Sequence, residues 1–129
     1  MPTLKQLTCH VEGPGNIPLL EYDSEYQDGY VDTWIATTPP GVPFTVHLSS
    51  KGYIAPGLAM FVYMDGIYQC NRNRTGLVYA SKSPRDREID IRVRQKEEKD
   101  KPDRYIARDW FFAELDTCQS SRLAQILFD

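Results

Sequence analysis

No stretch of this sequence stays apolar for long. Nothing approaches the roughly 20 apolar residues that cross a bilayer as a helix, and the opening MPTLKQLTCHVEGPG holds no secretion-signal core. The expectation is a protein that works inside a cell, in the nucleus or cytoplasm, with no membrane among its partners. Cysteine is scarce as well: Cys9, Cys70 and Cys118 are odd in number and far apart, which suits reduced, mostly buried thiols better than a disulfide framework, with one pair still open to them. The only soft metal ligands are those three thiols with His10 and His47. None forms the close C-x₂-C or H-x₃-H pair that preorganises a tetrahedral site, so no metal is expected.

Catalytic signatures are missing too. There is no G-x-x-x-x-G-K-[ST] phosphate cradle, and Gly13-Pro14-Gly15 leads into a strand-like run instead of a helix N-terminus. No Gly-x-Ser-x-Gly accompanies His10 or His47, the only imidazoles, and both fall on the outward, polar faces of their strands. The acid pairs Glu97-Glu98 and Asp86 with Glu88 sit among Lys and Arg, where a carboxyl keeps ordinary acidity. A non-enzyme without a cofactor is expected, hydrolysis by His47 with a nearby acid being the one enzymatic arrangement left. Asn73-Arg74-Thr75 matches the glycosylation acceptor pattern, but that chemistry needs a secreted context.

What the sequence does have is period-two alternation. Gln6 to Val11 places Leu7, Cys9 and Val11 on one face, and Phe44, Val46 and Leu48 alternate with Thr45, His47 and Ser49. Tyr30 to Thr37 is rich in aromatic and β-branched residues, as strands are. Leu58 to Met64 is apolar on both faces, the mark of a central strand, and Asp65-Gly66 returns it through Ile67 to Cys70 as a two-residue hairpin. Arg87 to Arg94 alternates again, with Ile89, Ile91 and Val93 inward, and Tyr105 to Phe112 reads as a last strand. Between elements, the acidic DSEYQDG (residues 23 to 29) and the wholly polar QKEEKDKPD (residues 95 to 103) read as solvated loops. Leu115, Leu123, Ile126 and Leu127 suit a short terminal helix over 116 to 129 that stops abruptly at Asp129, as in a domain excised from a longer protein. The fold expected is all-β: one antiparallel β-sandwich domain, residues 1 to 129, of seven to eight strands with a short C-terminal helix.

Two surplus features point to binding. Residues 72 to 108 carry 12 of the 15 Lys and Arg against 7 acids, whereas residues 1 to 71 carry a net −5. Arg72, Arg74, Arg85, Arg92 and Arg94 beside aromatic rings would suit single-stranded nucleic acid. The partial RNA-recognition echo of Lys51-Gly52-Tyr53 with Phe61-Val62-Tyr63 fails at Ile54 and Pro56, and no flanking helices are available. Aromatic residues, 8 Tyr, 5 Phe and 2 Trp, exceed what one small core absorbs. Tyr22, Tyr26, Tyr63, Tyr68 and Trp110 are therefore the candidates for gripping a partner, since such rings bury large area at low rotamer cost.

The stretches PLLEYD, DTWIATTPPGVPFTVHLSS, GLAMFVYMDGIYQC and DWFFAEL together resemble an uncharacterised domain family widespread in filamentous fungi. In that family a leucine-glutamate-tyrosine stretch precedes a strand ending in a glycine-phenylalanine run, followed by a VYVDG-type hairpin and an F-x-x-L closing segment. Leu20-Glu21-Tyr22, Phe44, Val62-Tyr63-Met64-Asp65-Gly66 and Phe112 with Leu115 carry the likeness across residues 9 to 115; Pro43 and Met64 depart from it. The resemblance implies a sandwich-like domain without known activity. The function expected is a non-enzymatic protein-interaction or scaffold domain of an intracellular fungal protein, binding a peptide, a protein or its own copy, with nucleic-acid binding by the basic segment as the alternative.

Overall fold

The computed structural model describes residues 3–4, 6–113 and 125–128. Within them the chain is mostly β-strand, arranged in several antiparallel sheets with almost no helix. The largest sheet runs β1 (Thr3–Leu4), β2 (Leu7–Gly13), β6 (Thr45–Ser50) and β9 (Asp90–Val93), with the short β3 (Ile17–Pro18) folded back on β2. A second sheet has β7 (Leu58–Met64) between β8 (Ile67–Arg74) and β12 (Gln125–Phe128). Two hairpins form sheets of their own: β4 (Glu21–Gln27) with β5 (Tyr30–Ile35), and β10 (Gln95–Lys101) with β11 (Arg104–Asp109). Among the described residues the helical content is one turn, α1 (Pro84–Arg87), and a 3₁₀ turn at Pro14–Asn16.

Alternation explains the core. On β6, Val46 and Leu48 are fully buried, and their register partners Val11 and Cys9 on β2 and Val93 and Ile91 on β9 stand on the same side. Met60 and Val62 of β7 and Cys70 of β8 join that cluster, so both larger sheets feed one core. Leu58 to Met64 is central in its sheet, as its apolar character on both faces implied. The β7–β8 turn needs positive φ at both residues. Asp65 and Gly66 supply it, at 52° and 78°.

One end of the core is closed by rings. Phe44 stacks on Trp110 at 5.7 Å and on Phe112 at 4.5 Å between centroids, and backbone bonds Phe44 N to Trp110 O and Phe112 N to Val42 O hold these segments together. The Trp110 indole N–H donates to Gln69 Oε1 at 3.1 Å, which satisfies its polar handle inside. Trp110 is therefore core, and its assignment as a partner-binding ring is corrected. Phe111, between Trp110 and Phe112, points to solvent.

Three expectations of local structure are also corrected. DSEYQDG is not a loop, because Glu21–Gln27 pairs with β5 across the turn at Asp28-Gly29. QKEEKDKPD is not a loop either: Gln95–Lys101 ladders onto Arg104–Asp109 around Pro102-Asp103. A charged strand is stable where both faces stay wet and the backbone bonds are made by a partner. Finally, Gln125–Phe128 is a strand registered on β7, with Ile126 opposite Val62, where the end of a terminal helix was expected. The free edge of β7 offers four residues of ladder, which outweighs a weak helical spacing. The rest of that expected helix lies outside the described residues.

Deleting the Leu48 side chain to alanine should lower the unfolding free energy by about 2–5 kcal/mol. Exposed Ile17→Ala should change it by about 0.5 kcal/mol or less. Urea denaturation followed by tryptophan fluorescence measures both.

Candidate functional site

The face of the large sheet opposite Val46 and Leu48 carries the polar alternants of three strands. His10 of β2 pairs with His47 of β6, and His47 pairs with Arg92 of β9, so these residues form one row across the sheet. Glu12 lies two residues along β2 from His10, and Asp90 two residues along β9 from Arg92, so both fall on the same face. The side chains converge. His10 Nε2 lies 2.9 Å from Glu12 Oε2, and His47 Nδ1 lies 3.4 Å from His10 Nε2 and 3.5 Å from Glu12 Oε2. His47 Nε2 sits 2.6 Å from Asp90 Oδ1. Arg92 Nε donates to Glu12 Oε1 at 2.9 Å.

This face was expected to meet water. Instead His10, Glu12 and His47 are only 8%, 2% and 9% exposed, which corrects the reading of both histidines as outward surface residues. A period-two pattern separates two faces of a strand but does not say what covers each. Burial opposes ionisation of Glu12, yet hydrogen bonds from Arg92 and His10 and the charge of Arg92 outweigh it, holding the carboxyl below its ordinary range. Glu12 was absent from the sequence candidates. The available signal was its phase: His10-x-Glu12 puts an imidazole and a carboxylate side by side on any strand.

The expected acid partner of His47 exists in Asp90. His47 Nδ1, however, faces His10 and Glu12 and not a hydroxyl or thiol, so the arrangement is not that of an activated nucleophile. Cys9 and Cys70 are likewise disarmed. Burial raises Cys9 to about 12, helped by the Glu21 charge, and burial raises Cys70 to about 11.

The aromatic candidates divide among separate surfaces. Tyr22 and Tyr26 stand on the β4–β5 hairpin, 49% and 57% exposed, and Trp34, missed by sequence reasoning, is the cross-strand partner of Tyr22 and 39% exposed. Tyr63 is half-buried and meets exposed Tyr68 edge to face at 5.8 Å on the β7–β8 hairpin. The arginine candidates gather only in part: Arg72, Arg92 and Arg94 line an open groove of about 360 Å³ with Asn16 and Thr45. Arg72 is held by Glu97 and Arg92 by Glu12. Arg74 donates to the Arg85 carbonyl at 2.7 Å, so Arg74 and Arg85 belong to another region, around α1. No family model, curated protein or solved structure matches this chain.

Two measurements follow from this geometry. Arg92→Met should destabilise the fold by about 1–3 kcal/mol, because it leaves the buried Glu12 carboxylate short of a donor. In the Arg92→Met, Glu12→Gln double variant part of that loss should return, and a double-mutant cycle by thermal denaturation reads the coupling. At pH 8, Cys9 and Cys70 hold almost no thiolate, so mass spectrometry after a short iodoacetamide pulse should find both unmodified in folded protein and both alkylated in urea.

Proposed function

We propose that this chain is a non-enzymatic binding domain whose β4–β5 hairpin grips a basic, partly apolar segment of another protein. One observation carries the reading: a hairpin that belongs to neither larger sheet exposes Tyr22, Tyr26 and Trp34 on an acidic stretch of the chain. Between Lys5 and Lys51 the sequence contains Glu12, Glu21, Asp23, Glu25, Asp28 and Asp32 and no Lys or Arg. A cationic partner segment would complement that acidic stretch while the rings supply contact area. In this reading the two larger sheets form a sandwich-like scaffold, and the domain has an intracellular fungal setting and no catalytic role. Tyr63 and Tyr68, with exposed Ile67, are a smaller second surface of the same kind. The described structure has no helix long and apolar enough to cross a membrane.

Nucleic-acid binding is the weaker reading. Arg72 and Arg92 already neutralise acids of this chain, so the groove they line with Arg94 offers little free charge to phosphates.

Selection from a displayed library of random twelve-residue peptides tests the proposal. Enriched peptides should combine Lys or Arg with aliphatic residues and bind more weakly as salt rises. The Tyr22→Ala, Trp34→Ala variant, folded by circular dichroism, should lose about 30-fold or more in affinity. Enriched peptides that bind this variant as well as wild type would remove the hairpin from the interface. Fluorescence anisotropy with a single-stranded oligonucleotide at low salt should show no binding; tight, salt-sensitive binding abolished by Arg94→Glu would favour the groove instead.

A further inference from the structure

We propose that His10, Glu12 and His47 form a binding site for one divalent transition-metal ion of the zinc class. The three facing atoms, His10 Nε2, Glu12 Oε2 and His47 Nδ1, are separated by 2.9, 3.4 and 3.5 Å. With metal–ligand bonds of about 2.0–2.2 Å, ligands sharing one ion lie about 3.0 Å apart in octahedral and about 3.4 Å apart in tetrahedral geometry. The triangle already has those edges.

The surrounding hydrogen bonds aim the right lone pairs inward. Asp90 accepts the Nε2–H of His47, which leaves Nδ1 as the unprotonated nitrogen facing His10 and Glu12. Arg92 occupies Oε1 of Glu12, leaving Oε2 for the site. Without a metal, a single proton on His10 Nε2 serves both Glu12 Oε2 and His47 Nδ1. His10 Nδ1, buried, then has no hydrogen-bond partner. A dication satisfies all three facing atoms at once and moves the His10 proton to Nδ1. Histidine bound to metal and backed by a carboxylate, as His47 is by Asp90, is the recurring orienting arrangement of such sites.

Ligand chemistry selects the class of ion. Two imidazole nitrogens and one carboxylate oxygen suit zinc, cobalt or nickel and disfavour calcium or magnesium, which take oxygen ligands. Charge agrees: around neutral imidazoles, Glu12 and Asp90 against Arg92 leave one net negative charge. The ligands are mounted on the central strands β2 and β6, where the ladder bonds hold their spacing. Asp90, with a side chain 67% exposed, stands beside His47 as the solvent side of the cluster, by which an ion would enter. Three protein ligands leave a coordination position for water or an exchangeable group.

The test uses the full chain with any affinity tag removed, since His10 and His47 are then the only imidazoles present. Cobalt(II) titration should give saturable one-to-one binding with visible ligand-field bands and no thiolate charge-transfer band, and zinc(II) should displace it. On zinc binding, long-range ¹H–¹⁵N spectra should shift His10 Nε2 and His47 Nδ1 specifically. Asp90→Asn should weaken cobalt binding about 10- to 100-fold. Glu12→Gln and His47→Gln should weaken it further. If those two variants fail to fold, the nitrogen shifts of the wild-type chain decide. Absence of visible bands at millimolar cobalt, a thiolate band, or zinc binding that leaves both imidazoles unshifted would overturn the site.

Discussion

Burial of β6 is the constraint on which the rest of this structure depends. Val46 and Leu48 lose all contact with water against strands of two sheets, and a strand that turns two alternate residues into a core must turn the residue between them the other way. His47 is that residue. A one-residue slip of β6 against β2 or β9 would carry Val46 and Leu48 out of the core and His47 in, so hydrophobic register and the meeting of His47 with His10, Glu12 and Asp90 are the same event.

The polar cluster is built as carefully as the core because it is buried. Two carboxylates, two imidazoles and a guanidinium share donors and acceptors over three strands, and Glu12 is stabilised as an anion by Arg92 and His10 despite its burial. Such a network ties β2 to β9 across β6 on the face the apolar core does not reach. The hairpins β4–β5 and β10–β11, by contrast, form ladders of their own and carry acids or mixed charge.

Much of the fold was legible from residue order. The alternation at Phe44 to Leu48, the doubly apolar run Leu58 to Met64 and the Asp65-Gly66 turn each name their own structure, because core contact and positive φ are demands on single residues. The charged segments were misread for a physical reason. Glu21 to Gln27 and Gln95 to Lys101 carry no apolar stripe, yet backbone pairing needs none when a two-residue turn brings a partner strand alongside. Trp110 was misplaced because only the tertiary fold shows that Gln69 waits for its indole N–H.

By itself the sequence determined the β class, the apolar faces of the main strands and the concentration of acids before residue 51, since these depend on local alternation and composition. The register of His10 on His47, 37 residues apart, and the reach of Arg92 to Glu12, 80 residues apart, were decided only by tertiary structure. Contacts between distant residues follow from how sheets stack and align, and no short window of sequence contains that alignment.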